Sequence, residues 1–214
     1  IRNLVKNKGL TFLNVFGLSI AFASSTLLFI NAKYELSFDT FFENNERIFK
    51  LYHFSKNQDG EQTSGSLAFP VNPTLKKECP EIDAATRFKN GGSSVEYNNK
   101  IINTQVDLVD ADFFKVFSFG IIKGNKISPL QSEGDVVITE FAAKKIFGTA
   151  DPIGKVIKVD IEGVKKLMSV SAVANNFPDN SSITYDVLAR IENHPDYAKR
   201  ANDWNNSNHS GFIK

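Results

Sequence analysis

Residues 9–32, GLTFLNVFGLSIAFASSTLLFINA, contain no charged side chain, and Lys8 and Lys33 close the run on either side. At about 1.5 Å rise per residue, two dozen residues make a helix of roughly 36 Å, enough to cross a hydrocarbon core of about 30 Å with some tilt. The run reads as a transmembrane helix. Arg2, Lys6 and Lys8 precede it without an acid among them, whereas Lys33 is followed by Glu35 and Asp39. The positive-inside bias then keeps residues 1–8 in the cytoplasm and puts the bulk of the chain outside, anchored on the inner membrane. A secretory signal peptide shares the basic start, and Ala21-Phe22-Ala23 is a tolerable cleavage box, but the apolar run continues past it through Leu27-Leu28-Phe29-Ile30. A soluble core helix of this length would show a charged face. Asn14, Ser19, Ser24, Ser25, Thr26 and Asn31 punctuate the run, and such side chains within a span favour a neighbouring helix over lipid. Because the sequence opens at Ile1 and stops at Lys214 in mid-pattern, those helices are expected elsewhere in a longer chain.

Beyond the span, about 180 residues remain, enough for one sizeable or two small domains. Lys and Arg number 25 against 24 Asp and Glu, so no electrostatic footprint for nucleic acid exists. Cys79 is the sole cysteine, which excludes an internal disulfide; just before Pro80 it reads as a small buried hydrophobe. The 19 Phe residues fall in periodic segments and read as core.

In chain order, a helix is expected to emerge from the membrane and end near residues 43–45, with Tyr34, Phe38, Phe41 and Phe42 packing it onto a central strand at 47–54. A turn follows at 56–60. Asn72-Pro73 caps a short helix at 74–79, and residues 83–88 form a further strand. Gly91-Gly92 and Asn98-Asn99 read as turns, the second leading into a hairpin arm at 101–109. Asp110 or Asp112 can cap a helix at 113–117. Residues 135–138 form an apolar strand, after which Thr139 caps a helix at 140–147 that stops at Gly148. Pro152 and Gly154 mark a turn at 151–154. A hairpin spans 155–161 and 167–174, a loop covers 175–182, a strand covers 183–191, and the polar tail at 202–210 reads as a loop.

In this order SFDTFFENNERIFKL at 37–51, VDADFFKVFSFGIIKG at 109–124, VVITEFAAKKIFGTADPIGKVI at 136–157 and VSAVANNFPDNSSITYDVL at 170–188 resemble the MacB-like periplasmic core domain of ABC-transporter permeases of the FtsX superfamily. Residues 136–155 are the most specific stretch. The resemblance implies an α+β fold: a transmembrane helix followed by a mixed α/β extracytoplasmic domain, with a porter-like part at 33–100 and 168–214 and a smaller Sabre-like part inserted at 101–167. It also implies an ABC ATPase partner, further membrane helices or a second permease copy, and periplasmic adaptor or envelope proteins. The domain would relay ATPase-driven motion to export or cell-envelope processes. A membrane-anchored sensor or ligand-binding domain has the same layout and is the alternative.

Chemistry of other kinds leaves little trace. There is no Gly-x-x-x-x-Gly-Lys-Ser/Thr loop, so ATP hydrolysis belongs to a separate subunit or domain. His53, His194 and His209 lack metal-ligand spacing. Asp107, Asp110 and Asp112 cluster without an EF-hand's central Gly and terminal Glu, and read as a helix cap. Residues 179–182, Asp-Asn-Ser-Ser, read as a turn. No catalytic residue, cofactor or metal site is expected.

Overall fold

The computed structural model describes residues 8–57 and 60–214; the cytoplasmic placement of residues 1–7 and the tip of the 56–60 turn fall outside them. The apolar run forms α1 (Lys8–Glu35), 28 residues with no buried side chain, long and apolar enough to cross a membrane. It does not run on toward residues 43–45 as expected. The Ser37 hydroxyl donates to the Tyr34 carbonyl at 2.6 Å and the Thr40 hydroxyl to that of Ser37 at 2.9 Å, while Asp39 takes φ +58°, a conformation that no helix contains.

The described chain divides into two compact units, α1 and residues up to Phe41 with Asp179–Ser182, and Phe42–Pro178 with Ile183–Lys214. The second unit is built on twelve strands. Its first part carries β1 (Phe49–Lys50), β2 (His53–Asn57), β3 (Gly60–Ser64), β4 (Leu67–Ala68) and α2 (Val71–Glu78). The long hairpin β5 (Ala85–Tyr97) and β6 (Lys100–Val109) follows, then α3 (Phe113–Val116), β7 (Ile121–Gly124), β8 (Asp135–Thr139) and α4 (Glu140–Phe147). A second hairpin, β9 (Val156–Ile161) and β10 (Val164–Ala174), precedes β11 (Val187–Arg190), α5 (Tyr197–Arg200) and β12 (Ser207–Ile213).

β9 pairs antiparallel with both β10 and β5. The pairing therefore closes into a six-stranded ring in the order β5, β6, β11, β8, β10, β9. One residue set from each ring strand, Val95, Leu108, Val187, Ile138, Val170 and Val159, joins a single apolar cluster, to which α4 adds Ala142, Ile146 and Phe147. The adjacent residues Val109, Leu188 and Val137, and Ala172 beyond the register shift in β10, meet a second cluster rich in aromatic rings, including Phe113, Phe117, Phe119, Tyr185 and Phe212. Period-two alternation thus buries both faces of these strands. The expected division at 100/101 separates β5 from β6, and that at 167/168 falls inside β10; strands from both expected parts lie in one ring.

The sequence reading needs further corrections, beginning with the strand expected at 183–191, which is confined to β11 at Val187–Arg190. Residues 47–54 are not a central strand: β1 is a two-residue edge piece, β2 pairs only with β3 in a separate two-stranded sheet, and Phe49, Tyr52 and Phe54 are exposed. Asn72 is not the cap of α2, which Pro70 occupies; its amide donates to the carbonyls of Thr86 and Phe212 and docks the helix on β5 and β12. The polar tail is not a loop, since β12 pairs with β1, β4 and β5. Gly91-Gly92 is not a turn but an irregularity within β5, placed just before residues 94–96, which pair with β6 on one side and β9 on the other. A Cβ on Gly92 would stand 2.0 Å from the Asp160 carbonyl oxygen, so only glycine allows the approach that closes the ring. The true hairpin turns are Asn98-Asn99, with φ +49° and +59°, and Glu162-Gly163, with +48° and +86°, the left-handed pairs that match strand twist.

Gly92→Ala should therefore destabilise the domain by about 1–3 kcal/mol through forced separation of β5 and β9. Gly148, at φ +65° but with open space around a Cβ, should cost only about 1 kcal/mol as Ala. Denaturant titration of both variants checks the ranking, and a costlier Gly148→Ala would contradict the close approach at Gly92.

Candidate functional site

At the end of α1, residues 34–39 are bonded to the segment Asp179–Ser182, remote in sequence but part of the same compact unit. The Tyr34 hydroxyl donates to the Asp179 carbonyl at 3.2 Å and the Asp39 amide to the Asn180 carbonyl at 3.0 Å. Asn180 Nδ2 donates to the Ser37 carbonyl at 2.7 Å and to Ser37 Oγ at 3.0 Å. The Ser182 amide donates to Asp39 Oδ1 at 2.8 Å, and its hydroxyl donates to Asp39 Oδ2. The positive φ of Asp39 turns its carboxylate onto two donors at once, and Asn180 uses both its carbonyl and its side chain. Such a set fixes direction as well as distance.

Of the residues expected to couple membrane to domain, Tyr34 and Phe38 pack edge to face at 5.4 Å, and Phe41 is partly exposed. Phe42 is buried and packs on Phe117 and Phe119, with ring centroids at 5.2 and 5.0 Å. Sequence reasoning missed Ser37, Asp39, Asn180 and Ser182. The available signal is the run Asp-Asn-Ser-Ser, dense in short side chains that bond to backbone, which by itself reads as a turn. Thr139 caps α4 by accepting from the Ala142 amide at 3.1 Å. Gly148 and Gly154 have φ +65° and +74°, and the carbonyl of the buried Pro152 accepts from the Lys155 amide at 3.0 Å.

A second polar feature lies in the strand unit, a cavity of about 400 Å³ whose lining includes Lys76, Arg87, Asp110, Asp112, Arg190 and Glu192. Arg87 is 3% exposed. Its Nε donates to Asp110 Oδ2 at 2.9 Å, its Nη2 to Asp110 Oδ1 at 2.5 Å, and its Nη1 to the Phe69 carbonyl at 3.1 Å. Burial opposes the guanidinium charge, but the Asp110 bonds outweigh it and raise the Arg87 pKa. Asp112 is opposed by burial too, yet Lys115 and Lys76 hold its pKa below the usual carboxylate range. Arg190 and Glu192 pair at 2.6 Å. The aspartates expected as alternative caps of α3 are thus spent on cations, and Asp112 at the cap position makes no side-chain capping bond. Ion pairs in the cleft join α2 and β5 to the residues just after β6, while Arg190 at the end of β11 is neutralised locally by Glu192.

No histidine lines the cleft, although the rings of His194 and His209 both pack edge to face on Phe69. His53 is exposed in β2. His194 is buried, accepts the Asp196 amide at Nδ1 and has Nε2 3.0 Å from Glu162 Oε2, poorly aligned for a hydrogen bond. His209 is buried with both ring nitrogens unpartnered, and desolvation, helped by the positive Arg87 and Lys89, pushes its pKa down to about 4. Among the described residues no three His, Cys, Asp or Glu side chains could share a metal ion.

An apolar helix long enough to cross a membrane, followed in sequence by a mixed α/β domain, defines the class: a folded domain carried on an N-terminal candidate membrane helix. Residues 11–206 match the MacB-like periplasmic core domain. The chain belongs to that family, the periplasmic domains of ABC-transporter permeases. Over 105 residues it is 30% identical to the macrolide export ATP-binding/permease protein MacB of Shewanella sp. (strain W3-18-1), a stretch covering 46% of this chain and 16% of that protein. A solved domain from Porphyromonas gingivalis, described as that of a permease protein, is 26% identical with a TM-score of 0.68, over 81% of this chain and 74% of that one. The periplasmic region of MacB from Actinobacillus actinomycetemcomitans, 19% identical, shares the fold with a TM-score of 0.50 over 78% of this chain and 72% of that one. So does the extracellular domain of the noncanonic ABC-type transporter YknZ from Gram-positive bacteria, 10% identical, with a TM-score of 0.52 over 78% and 82%.

Asp110→Ala leaves the Arg87 guanidinium buried without its carboxylate, and should destabilise the domain by about 3–5 kcal/mol. Replacing both as Arg87→Met with Asp110→Ala should recover most of that loss. Thermal denaturation of the two variants decides; equal losses would show that the pair does not act as a unit.

Proposed function

We propose that this chain is the membrane-anchored extracytoplasmic part of a MacB/FtsX-type ABC transporter permease, and that it relays ATPase-driven motion from the membrane helix to export or cell-envelope processes. The observation that supports the relay is the hydrogen-bonded exit of α1. Motion of a helix reaches a domain only through groups that move with it, and here residues 179–182 are hydrogen-bonded to Tyr34, Ser37 and Asp39 at the helix end. Those residues continue in sequence into 183–186 and β11, a member of the strand ring. The helix end thus holds two stretches of chain, the one that follows Phe41 and the one on either side of 179–182.

In this reading residues 1–8 face the cytoplasm because Arg2, Lys6 and Lys8 stand there without acids. An ABC ATPase supplies the energy, since the chain carries no phosphate-binding loop of its own. Further helices or a second permease copy cover the polar positions of α1, all of whose side chains are unburied, and periplasmic adaptor or envelope proteins receive the motion.

Lys33 and Tyr34 lie inside α1, so a Gly-Ser insertion between them separates the span from the bonded exit with a flexible joint. The insertion should leave membrane insertion and domain folding intact while uncoupling ATP hydrolysis from cellular output. Asn180→Ala combined with Asp39→Ala should weaken output in the same direction without altering helix length. ATPase assays alongside an export or envelope-stress readout test this, and full activity of the insertion variant would refute the relay.

A further inference from the structure

The segment that follows the helix-bound loop is held by a second polar group, centred on Asp107 of β6. Asp107 is 1% exposed, and its carboxylate accepts only from amides: Gln105 Nε2 at 2.8 Å on Oδ2 and Asn90 Nδ2 at 3.5 Å on Oδ1. The same Gln105 Nε2 donates to the Thr184 carbonyl at 3.1 Å, and the Gln105 amide donates to Asp186 Oδ2 at 3.2 Å. Thr104 Oγ1 donates to Asp186 Oδ2 at 2.8 Å, and the Thr139 amide to the Asp186 carbonyl at 3.0 Å. Residues 184 and 186 are therefore tied to β6 through Gln105, which is itself shared with Asp107.

The charges around this group leave Asp107 uncompensated. From β5 it faces Asn90, and from its own strand Gln105; the charged group acting on it is the carboxylate of Asp186, of like sign. Lys89 of β5 is engaged with Glu162 and the Asn90 carbonyl. Lys145 of α4 donates to the Asn103 carbonyl at 2.6 Å. Burial above all, with the Asp186 charge adding to it against the two amide bonds, pushes the Asp107 pKa up to about 7. Asp186 also lines an open hollow of about 450 Å³ with Asn90, Asn103, Thr104, Gln105 and Lys145, a polar space open to solvent.

We propose that Asp107 is a proton-operated latch on residues 183–186: a protonated Asp107 lets Gln105 and Thr104 hold the segment on β6, and loss of the proton places two carboxylates in one hydrogen-bonded network, one of them buried, and loosens that hold. The inference rests on the relay reading for its consequence, because 183–186 directly continue the loop held by the membrane helix; acidification would stiffen the link and alkalinity soften it. The sign follows from proton counts. With the pKa raised in the latched state and ordinary in the opened state, the latched state binds more protons between about pH 4 and 7, so latching is favoured at low pH and lost as pH rises toward 7.

Hydrogen exchange of the full chain in detergent micelles, corrected for the intrinsic pH dependence of exchange, tests the latch without any ATPase. Protection of peptides covering 183–186 should fall about tenfold per pH unit between pH 5 and 6.5, about thirtyfold in all, and level off near pH 7. Peptides from β9 should not follow. Asp107→Asn should abolish the dependence, and Asp186→Asn should move the levelling-off to lower pH by removing the like charge. A flat profile in the unaltered chain, a dependence that survives Asp107→Asn, or an equal trend in β9 would overturn the latch. A relay failure would appear instead in the linker-insertion assay, with the exchange profile unchanged.

Discussion

Closure of the strand ring at Gly92 is the constraint on which the strand unit depends. Because β9 reaches β5 as well as β10, the sheet has an inside, and the ring strands must present an apolar residue at every second position on that side. Each such side chain contributes about 1.5–3 kcal/mol when fully buried. The outer face can then be covered by rings: Phe113 stands within 6.2 Å of Phe88, Phe114, Phe117, Phe119 and Tyr185. Phe42 joins that aromatic layer at the first residue of the strand unit, so the chain enters the unit through one of its most densely packed regions.

Polar chemistry is used differently in the two units. In the strand unit, Arg87 and Asp110 form a buried pair whose value lies in orientation, since a bidentate guanidinium admits one geometry where an apolar substitute would admit several. At the end of α1 the bonds are short-range and involve small side chains, Ser37, Asp39, Asn180 and Ser182, that hold backbone to backbone. Buried Asp107 belongs to neither kind. It is an acid held by amides, and its charge state is therefore the least settled among the buried groups near residues 183–186.

Much of this was legible from the residues. The apolar run, the capped helix from Thr139 to Gly148 and the two hairpins announced themselves through charge absence, a capping hydroxyl and left-handed turn residues, all of them local signals. What escaped the reading depended on distant partners. Gly91-Gly92 looks like a turn until the Asp160 carbonyl is known to lie against it, and Ser207-Asn-His-Ser210 has no strand character until β5 and β4 supply pairing. Residues 47–54 show the reverse error, since strand-forming aromatics suggest a central strand, yet Phe49, Tyr52 and Phe54 are exposed. Asn180 and Asp39 could not be linked by spacing alone, because their contact spans some 140 residues of sequence.

The central claim is that the end of the membrane helix and residues 179–182 move as one body. It is tested most directly by a distance measured between them during turnover. With Cys79→Ser as background, spin labels at Leu36→Cys and Asp179→Cys, both exposed positions, report that distance by pulsed electron resonance in the permease assembled with its ATPase. The account predicts one narrow distance distribution that stays unchanged between nucleotide-free, ATP-bound and post-hydrolysis states. A distribution that broadens or shifts with nucleotide would show that the helix slips past the loop, and would contradict the relay.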